Sequence, residues 1–189
     1  MQDTAEGVRH FQQDVYPHKA QLFEHLATHH KPDTLFIGCS DARVVPELIT
    51  SSEPGELFVI RTAGNLVPAY HPGADPVTAS IEYAVAALGV TDVIVCGHSA
   101  CGAMTALAEN HDLSATPAVA GWLEQADASR ARVKTPGNVP ELVRQNVLAQ
   151  LATLATHPSV ARGLATRTLG LHGWVFDIPT GHVDVLDAA

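Results

Sequence analysis

The chain has few of the features that mark a nucleic-acid, membrane or disulfide-stabilised protein. Among its 189 residues, Lys and Arg number 11 against 20 Asp and Glu, for a net charge of -9. A surface that reads phosphates needs a basic excess, so nucleic acid is excluded as the main partner. No hydrophobic run approaches the roughly 20 residues that span a bilayer. The polar start, Met1–Gly7, shows no basic-then-apolar leader. The expectation is therefore a cytoplasmic protein with no membrane span. Cysteines are only three, an odd number better read as thiols or metal ligands than as a disulfide framework. Charged residues are scarce at 16% while hydrophobic ones reach 46%, which is globular and not disordered. The length suits one domain with a sizeable core, and a single domain over residues 1–189 is expected.

What is present is an alternation of short apolar runs and helical patterns. Gly7 to Thr28 has helical spacing at Val8, Phe11 and Val15 and again at Leu22, Phe23 and Leu26, with Pro17 between. This predicts two short helices or one broken helix, an arm over residues 1–30. Buried strands are predicted at Thr34–Gly38, Leu57–Ile60, Val93–Cys96 and Thr168–Phe176. Alternating Val183, Asp184 and Val185 suit an edge strand. Between them, Asp75-Pro76 opens a helix that Gly89 is placed to end, Asn138 caps another, and Pro46–Thr50 and Gly102–Ala108 are helix-like. The polar, Pro-containing stretch around Trp122 is assigned no element. The fold class is α/β: a mostly parallel central sheet of about four strands plus an antiparallel edge strand, with helices on both faces.

Two of the strands end alike. Thr34–Gly38 is followed by Cys39, Ser40, Asp41, Ala42 and Arg43, and Val93–Gly97 by His98, Ser99, Ala100 and Cys101. If these strands are neighbours in a parallel sheet, their carboxyl ends bring two thiols and an imidazole together. That donor set suits zinc over calcium or magnesium. The fourth position is then open to water or substrate, or closed by Asp41. A guanidinium two residues away, on Arg43, can hold the Asp41 carboxylate and keep it off the metal. Cys96, inside its strand, reads as a small packing residue. His10, His18, His25, His111, His157 and His172 read as surface or locally bonded.

The pair of motifs CSDAR and CGHSACGAM resembles the β-class carbonic anhydrases, and the likeness extends from the Phe11 helix through FVIRTAGNLV and SIEYAV to HGWVFDI. The resemblance implies zinc held by Cys39, His98 and Cys101, with Asp41 and Arg43 as a catalytic dyad. It implies reversible hydration of carbon dioxide to bicarbonate by a zinc-bound hydroxide that Asp41 orients. It further implies a homodimer or dimer of dimers, the N-terminal arm packing on the partner. Phe58, Tyr83, Gly102 and His30 would then line the carbon dioxide pocket. His30 stands where many members have Gln, and Ala42 where the family usually has Ser.

A bicarbonate-storing branch of the family uses a Trp, an Arg and a Tyr; the matching positions here are Phe36, Arg61 and Phe176, so that site is expected to be weak or absent. Gly38 and Val44, by contrast, resemble that branch. Two thiolates make zinc a poorer Lewis acid than imidazoles would, so hydration is expected to rise through the mildly alkaline range. His30 and His71 are candidates for carrying the released proton. Two other readings keep the zinc: hydrolysis of carbon disulfide or carbonyl sulfide, and a non-catalytic bicarbonate-binding domain with Asp41 as a permanent fourth ligand.

Overall fold

The computed structural model describes residues 3–186. The chain divides into two compact units, residues 1–31 and residues 32–189. The first is helical throughout most of its length: Thr4–His10 and Tyr16–Leu26 are α-helices joined without interruption by a π-helical stretch, Phe11–Val15. The sequence predicted separate helices or a break at Pro17, and neither occurs. Proline lacks the N–H donor and crowds the carbonyl four residues before it. The wider π turn immediately upstream accommodates that crowding while the helix continues. Phe11, Tyr16 and Phe23 stack edge-on or tilted, with ring centroids 5.6–6.3 Å apart. Val8, Phe11 and Tyr16 are nonetheless exposed.

The second unit is built on five strands: β1 (Thr34–Cys39), β2 (Leu57–Thr62), β3 (Asp92–His98), β4 (Gly170–Phe176) and β5 (Val183–Leu186). Their order is β2-β1-β3-β4-β5. The first three pairings are parallel and β4 with β5 is antiparallel. Helices surround the sheet, so the predicted α/β architecture is the observed one. β1 and β3 form the central pair, and their runs of buried Leu, Ile, Val and Phe are what a strand covered on both faces requires. One face packs Leu35, Ile37, Val93 and Val95 against Val147, Leu151 and Leu154 of the Val139–Leu154 helix. The other holds Phe36, Ile94 and Cys96, flanked by Val59, Trp174 and Phe176.

The chain leaves β1 for β2 on one side and later adds β3 on the other. The carboxyl ends of β1 and β3 therefore flank the point where the order reverses, the place where open α/β sheets keep their crevice. Caps follow the sequence closely. Asp75 accepts from the Thr78 N–H at 2.6 Å and Asn138 from the Glu141 N–H at 3.0 Å. Gly89 ends its helix in the left-handed region at φ 73°. Beside the single turn Asp127–Arg130, two helices were unassigned in the sequence, Pro117–Leu123 and Pro158–Thr166. Both begin with proline at the first turn, the signal that could have found them. His157, read as a surface or locally bonded histidine, is 1% exposed and its ring bonds the Pro68 carbonyl at 2.9 Å. No helix among the described residues is long and apolar enough to cross a membrane.

Candidate metal centre

Cys39 and His98 are the last residues of β1 and β3. Cys101 is the residue from which the Gly102–Ala108 helix springs. To bring Cys101 back towards His98 the turn between them is tight: Ala100 lies in the left-handed region at φ 55°, a conformation that costs a residue with a Cβ roughly 1 kcal/mol. Its neighbours hold it there. The Ser99 N–H donates to the Phe176 carbonyl at 2.9 Å, and the Ser99 hydroxyl accepts from the Ile178 N–H at 2.9 Å.

The donor atoms of Cys39, His98 and Cys101 all lie within 4.8 Å of one another, and all three residues are buried. The His98 ring is oriented by the Ser99 carbonyl, 2.9 Å from Nδ1, which makes Nδ1 the donor and leaves Nε2 with a lone pair. That Nε2 is buried without a hydrogen-bond partner. An unpaired nitrogen facing two sulfurs in the interior is costly unless something completes it, and a soft divalent cation does so. The thiols are already biased: the hydrogen bond with Cys101 draws the Cys39 thiol well below its ordinary range, against burial. The same bond pushes Cys101 up. Cys96, by contrast, is fully buried beside Phe36 and Ile94, and burial raises its thiol to about 12, so it packs as an inert side chain.

Asp41 and Arg43 stand beside this cluster in a two-pronged ion pair. Arg43 Nε donates to Asp41 Oδ1 at 2.9 Å and Nη2 to Oδ2 at 2.7 Å, while the Arg43 backbone N–H also reaches Oδ1 at 3.0 Å. Arg43 Nη2 further donates to the Ala100 carbonyl at 3.1 Å, tying the first ligand loop to the second. Asp41 Oδ2 comes within 3.8 Å of His98 Nε2. The Arg43 hydrogen bonds hold the Asp41 carboxyl well below the usual carboxylate range.

Arg61, on β2, was matched in the sequence to a bicarbonate-storing position. Its donors are turned inward instead, Nε to the Cys39 carbonyl at 3.1 Å and Nη2 to the carbonyls of Asp41 and Val44 at 2.6 and 2.8 Å. Phe58 and Tyr83 pack together with centroids 5.9 Å apart. Phe58 is four residues before Thr62, the register partner of Cys39, hence about 13 Å away along the strand. Within one chain that spacing keeps the Phe58 ring from the donors. Gly102 has open space before it, since a Cβ there would meet nothing within 4 Å. His30 is an exposed residue of the N-terminal unit. Sequence reasoning missed the Gly64 N–H, which lies 3.4 Å from Cys39 Sγ.

The family profile described as "Carbonic anhydrase" matches residues 34–183. A carbonic anhydrase of Pseudomonas aeruginosa is 56% identical over 195 residues, covering 100% of this chain and 89% of the relative. Carbonic anhydrase 1 of Escherichia coli O157:H7 is 50% identical with the same coverage. Among solved structures, the β-carbonic anhydrase CcaA superposes with a TM-score of 0.91 at 39% identity, over 97% of this chain and 93% of that one. A β-carbonic anhydrase of Sordaria macrospora, described as tetrameric, superposes with a TM-score of 0.83 at 31% identity over 97% and 94%.

Proposed function

Since the chain belongs to the β-carbonic anhydrase family, we propose that it hydrates carbon dioxide reversibly at a zinc ion held by Cys39, His98 and Cys101, with Asp41 and Arg43 positioning the attacking water. The observation that carries this reading is the unpartnered, buried His98 Nε2 facing two thiols beside a carboxylate already secured by a guanidinium. Zinc, when bound, supplies the Lewis acidity that makes water a nucleophile near neutral pH.

Asp41 does the orienting. A carboxylate has about four acceptor positions. Arg43 fills two on Oδ1, through Nε and the backbone N–H, and one on Oδ2. The remaining position is on Oδ2, the oxygen nearest His98 Nε2. Because Asp41 is ionised it can only accept there, so it favours a nucleophile that still carries a proton and holds that O–H in a fixed direction. Arg43 keeps the carboxylate from swinging onto the metal, which weighs against the reading in which Asp41 is a permanent ligand.

The substrate is uncharged and apolar, and apolar walls suit it. Phe58 lies some four residues down its strand from the level of Cys39 and packs on Tyr83, and Tyr83 and Leu48 are exposed. These features support a homodimer in which each copy supplies Phe58 and Tyr83 to the other's site, beside Gly102, with the arm and His30 reaching across. The inward-turned donors of Arg61, with Phe36 and Phe176 offering none, support weak or absent bicarbonate storage.

An Asp41→Asn variant tests the role of the dyad. Carbon dioxide hydration is expected to fall about 10- to 100-fold, with zinc still bound. The native pH profile carries a second expectation. A carboxyl held below its usual range stays ionised above that range, and its contribution is lost only as pH falls through the depressed value. Between pH 5 and 9 Asp41 therefore does not titrate, and any rise of activity in that window belongs to another group. A rise that survives in Asp41→Asn fits this account, and an unchanged rate in the variant contradicts it.

A further inference from the structure

The Val139–Leu154 helix packs an apolar stripe against the sheet, yet two amides sit on its inner side. Asn146 and Gln150 are 0% and 1% exposed. Buried amides are costly unless bonded, so their partners show what they are for. Asn146 Oδ1 accepts from the Ser129 hydroxyl at 2.9 Å and from Gln150 Nε2 at 3.0 Å, and Nδ2 donates to the Gly64 carbonyl at 2.9 Å. Gln150 Oε1 accepts from the Val67 N–H at 2.9 Å. Both amides thus grip the segment that follows β2. Trp122, on the unassigned helix Pro117–Leu123, grips it too: Nε1 donates to the Ala63 carbonyl at 2.9 Å.

That segment is conformationally unusual. Gly64 and Asn65 are consecutive left-handed residues, at φ 72° and 49°. The peptide between Ala63 and Gly64 is planar and trans, so its carbonyl and its N–H point in opposite directions. A donor fixed on the Ala63 carbonyl therefore aims the Gly64 N–H, and that N–H is the one 3.4 Å from Cys39 Sγ. Asn146 fixes the following peptide through the Gly64 carbonyl. A turn of the first plane would take the N–H off the sulfur, and Asn146 anchors the second plane, which shares the Gly64 Cα with the first.

We propose that Trp122 and Asn146 are positioning residues for the metal centre, holding the Gly64 N–H on the Cys39 sulfur so that it draws charge from that thiolate. This rests on the reading of Cys39 as a metal ligand. A hydrogen bond to a ligating sulfur lowers its donor strength and fixes its direction, and outer partners of this kind change metal affinity about 10- to 100-fold. The sulfur-to-metal band reads the sulfur itself, so this role can be separated from a purely structural one.

The test uses the full chain as Trp122→Phe, which keeps an aromatic ring without the indole N–H, and Asn146→Leu, which keeps the branched shape without the amide. Cobalt(II) replaces zinc, and the sulfur-to-cobalt charge-transfer band is recorded. The zinc dissociation constant is measured by chelator competition, and the melting temperature of the metal-free protein is taken alongside. Both variants are expected to move the band to lower energy, because the sulfur regains charge. They are also expected to weaken zinc about tenfold, because the loss of a fixed sulfur direction outweighs the gain in donor strength. In the double variant the two effects should fall short of their sum, because both donors hold one segment. A changed melting temperature with the band and the dissociation constant unmoved would overturn the proposal. A native band insensitive to Cys39→Ser would instead remove Cys39 as a ligand, and this proposal with it.

Discussion

Arg61 donates to three carbonyls of the loop that carries Cys39, Asp41 and Arg43, although no part of it enters the donor cluster. A guanidinium presents its donors in a rigid planar fork, and here that fork matches the curvature of residues 39–44. Replacing Arg61 by Gln should free the loop, weaken zinc and lower hydration, each by about 10- to 100-fold. Arg61→Lys should recover part of the loss, because one ammonium can reach some but not all of the carbonyls. Chelator competition and steady-state hydration read both, and an unaltered Arg61→Gln protein would remove Arg61 from the site. The donor cluster itself was legible in the chain: Cys39, His98 and Cys101 follow glycine-terminated apolar runs, and a parallel pairing of those runs was enough to bring them together. Arg61, Trp122 and the Gly64 N–H were not, because their bonds run to or from backbone groups whose positions exist only once the sheet is assembled.

At the level of elements, the site depends on how closely the Val139–Leu154 helix approaches β3. Gly97, the residue before His98, allows that approach: a Cβ there would lie 2.9 Å from Val147 Cγ2 and 3.1 Å from Val143 Cγ1. Gly97→Ala should therefore overpack the interface at a cost of about 1–3 kcal/mol. For a chain of this length that corresponds to a melting temperature lower by roughly 2–4 °C per kcal/mol, with weaker zinc binding because His98 is displaced. Calorimetry checks the first expectation, and a melting temperature equal to the native value would contradict it. The strands were readable because β1 and β3 are buried on both faces and so appear as uninterrupted apolar runs. The arm was less so. Its spacing gave helices, but the π turn ahead of Pro17 is a local adjustment with no periodicity of its own. The short helix at Pro117 has too few turns to show a stripe, whereas the one at Pro158 carries Val160 and Leu164 four residues apart, and proline in the first turn marked both.

At the scale of the whole molecule, Val8, Phe11 and Tyr16 on the arm are exposed, and in the proposed dimer they would be the apolar surface a second copy covers. A charge placed there, as Phe11→Asp, should shift the protein from dimer or larger assembly towards monomer in light scattering, with hydration falling in step as Phe58 and Tyr83 are withdrawn from the partner's site. A monomeric native protein with full activity would contradict the shared-site arrangement. Every scale returns to one premise, that two sulfurs and one ring nitrogen from distant parts of the chain hold a single zinc. The most direct measurement is metal content together with hydration in the native protein and in Cys39→Ser. The account predicts about one zinc per chain in the native protein, and loss of both metal and activity in the variant. A variant that keeps its zinc and its rate would contradict it.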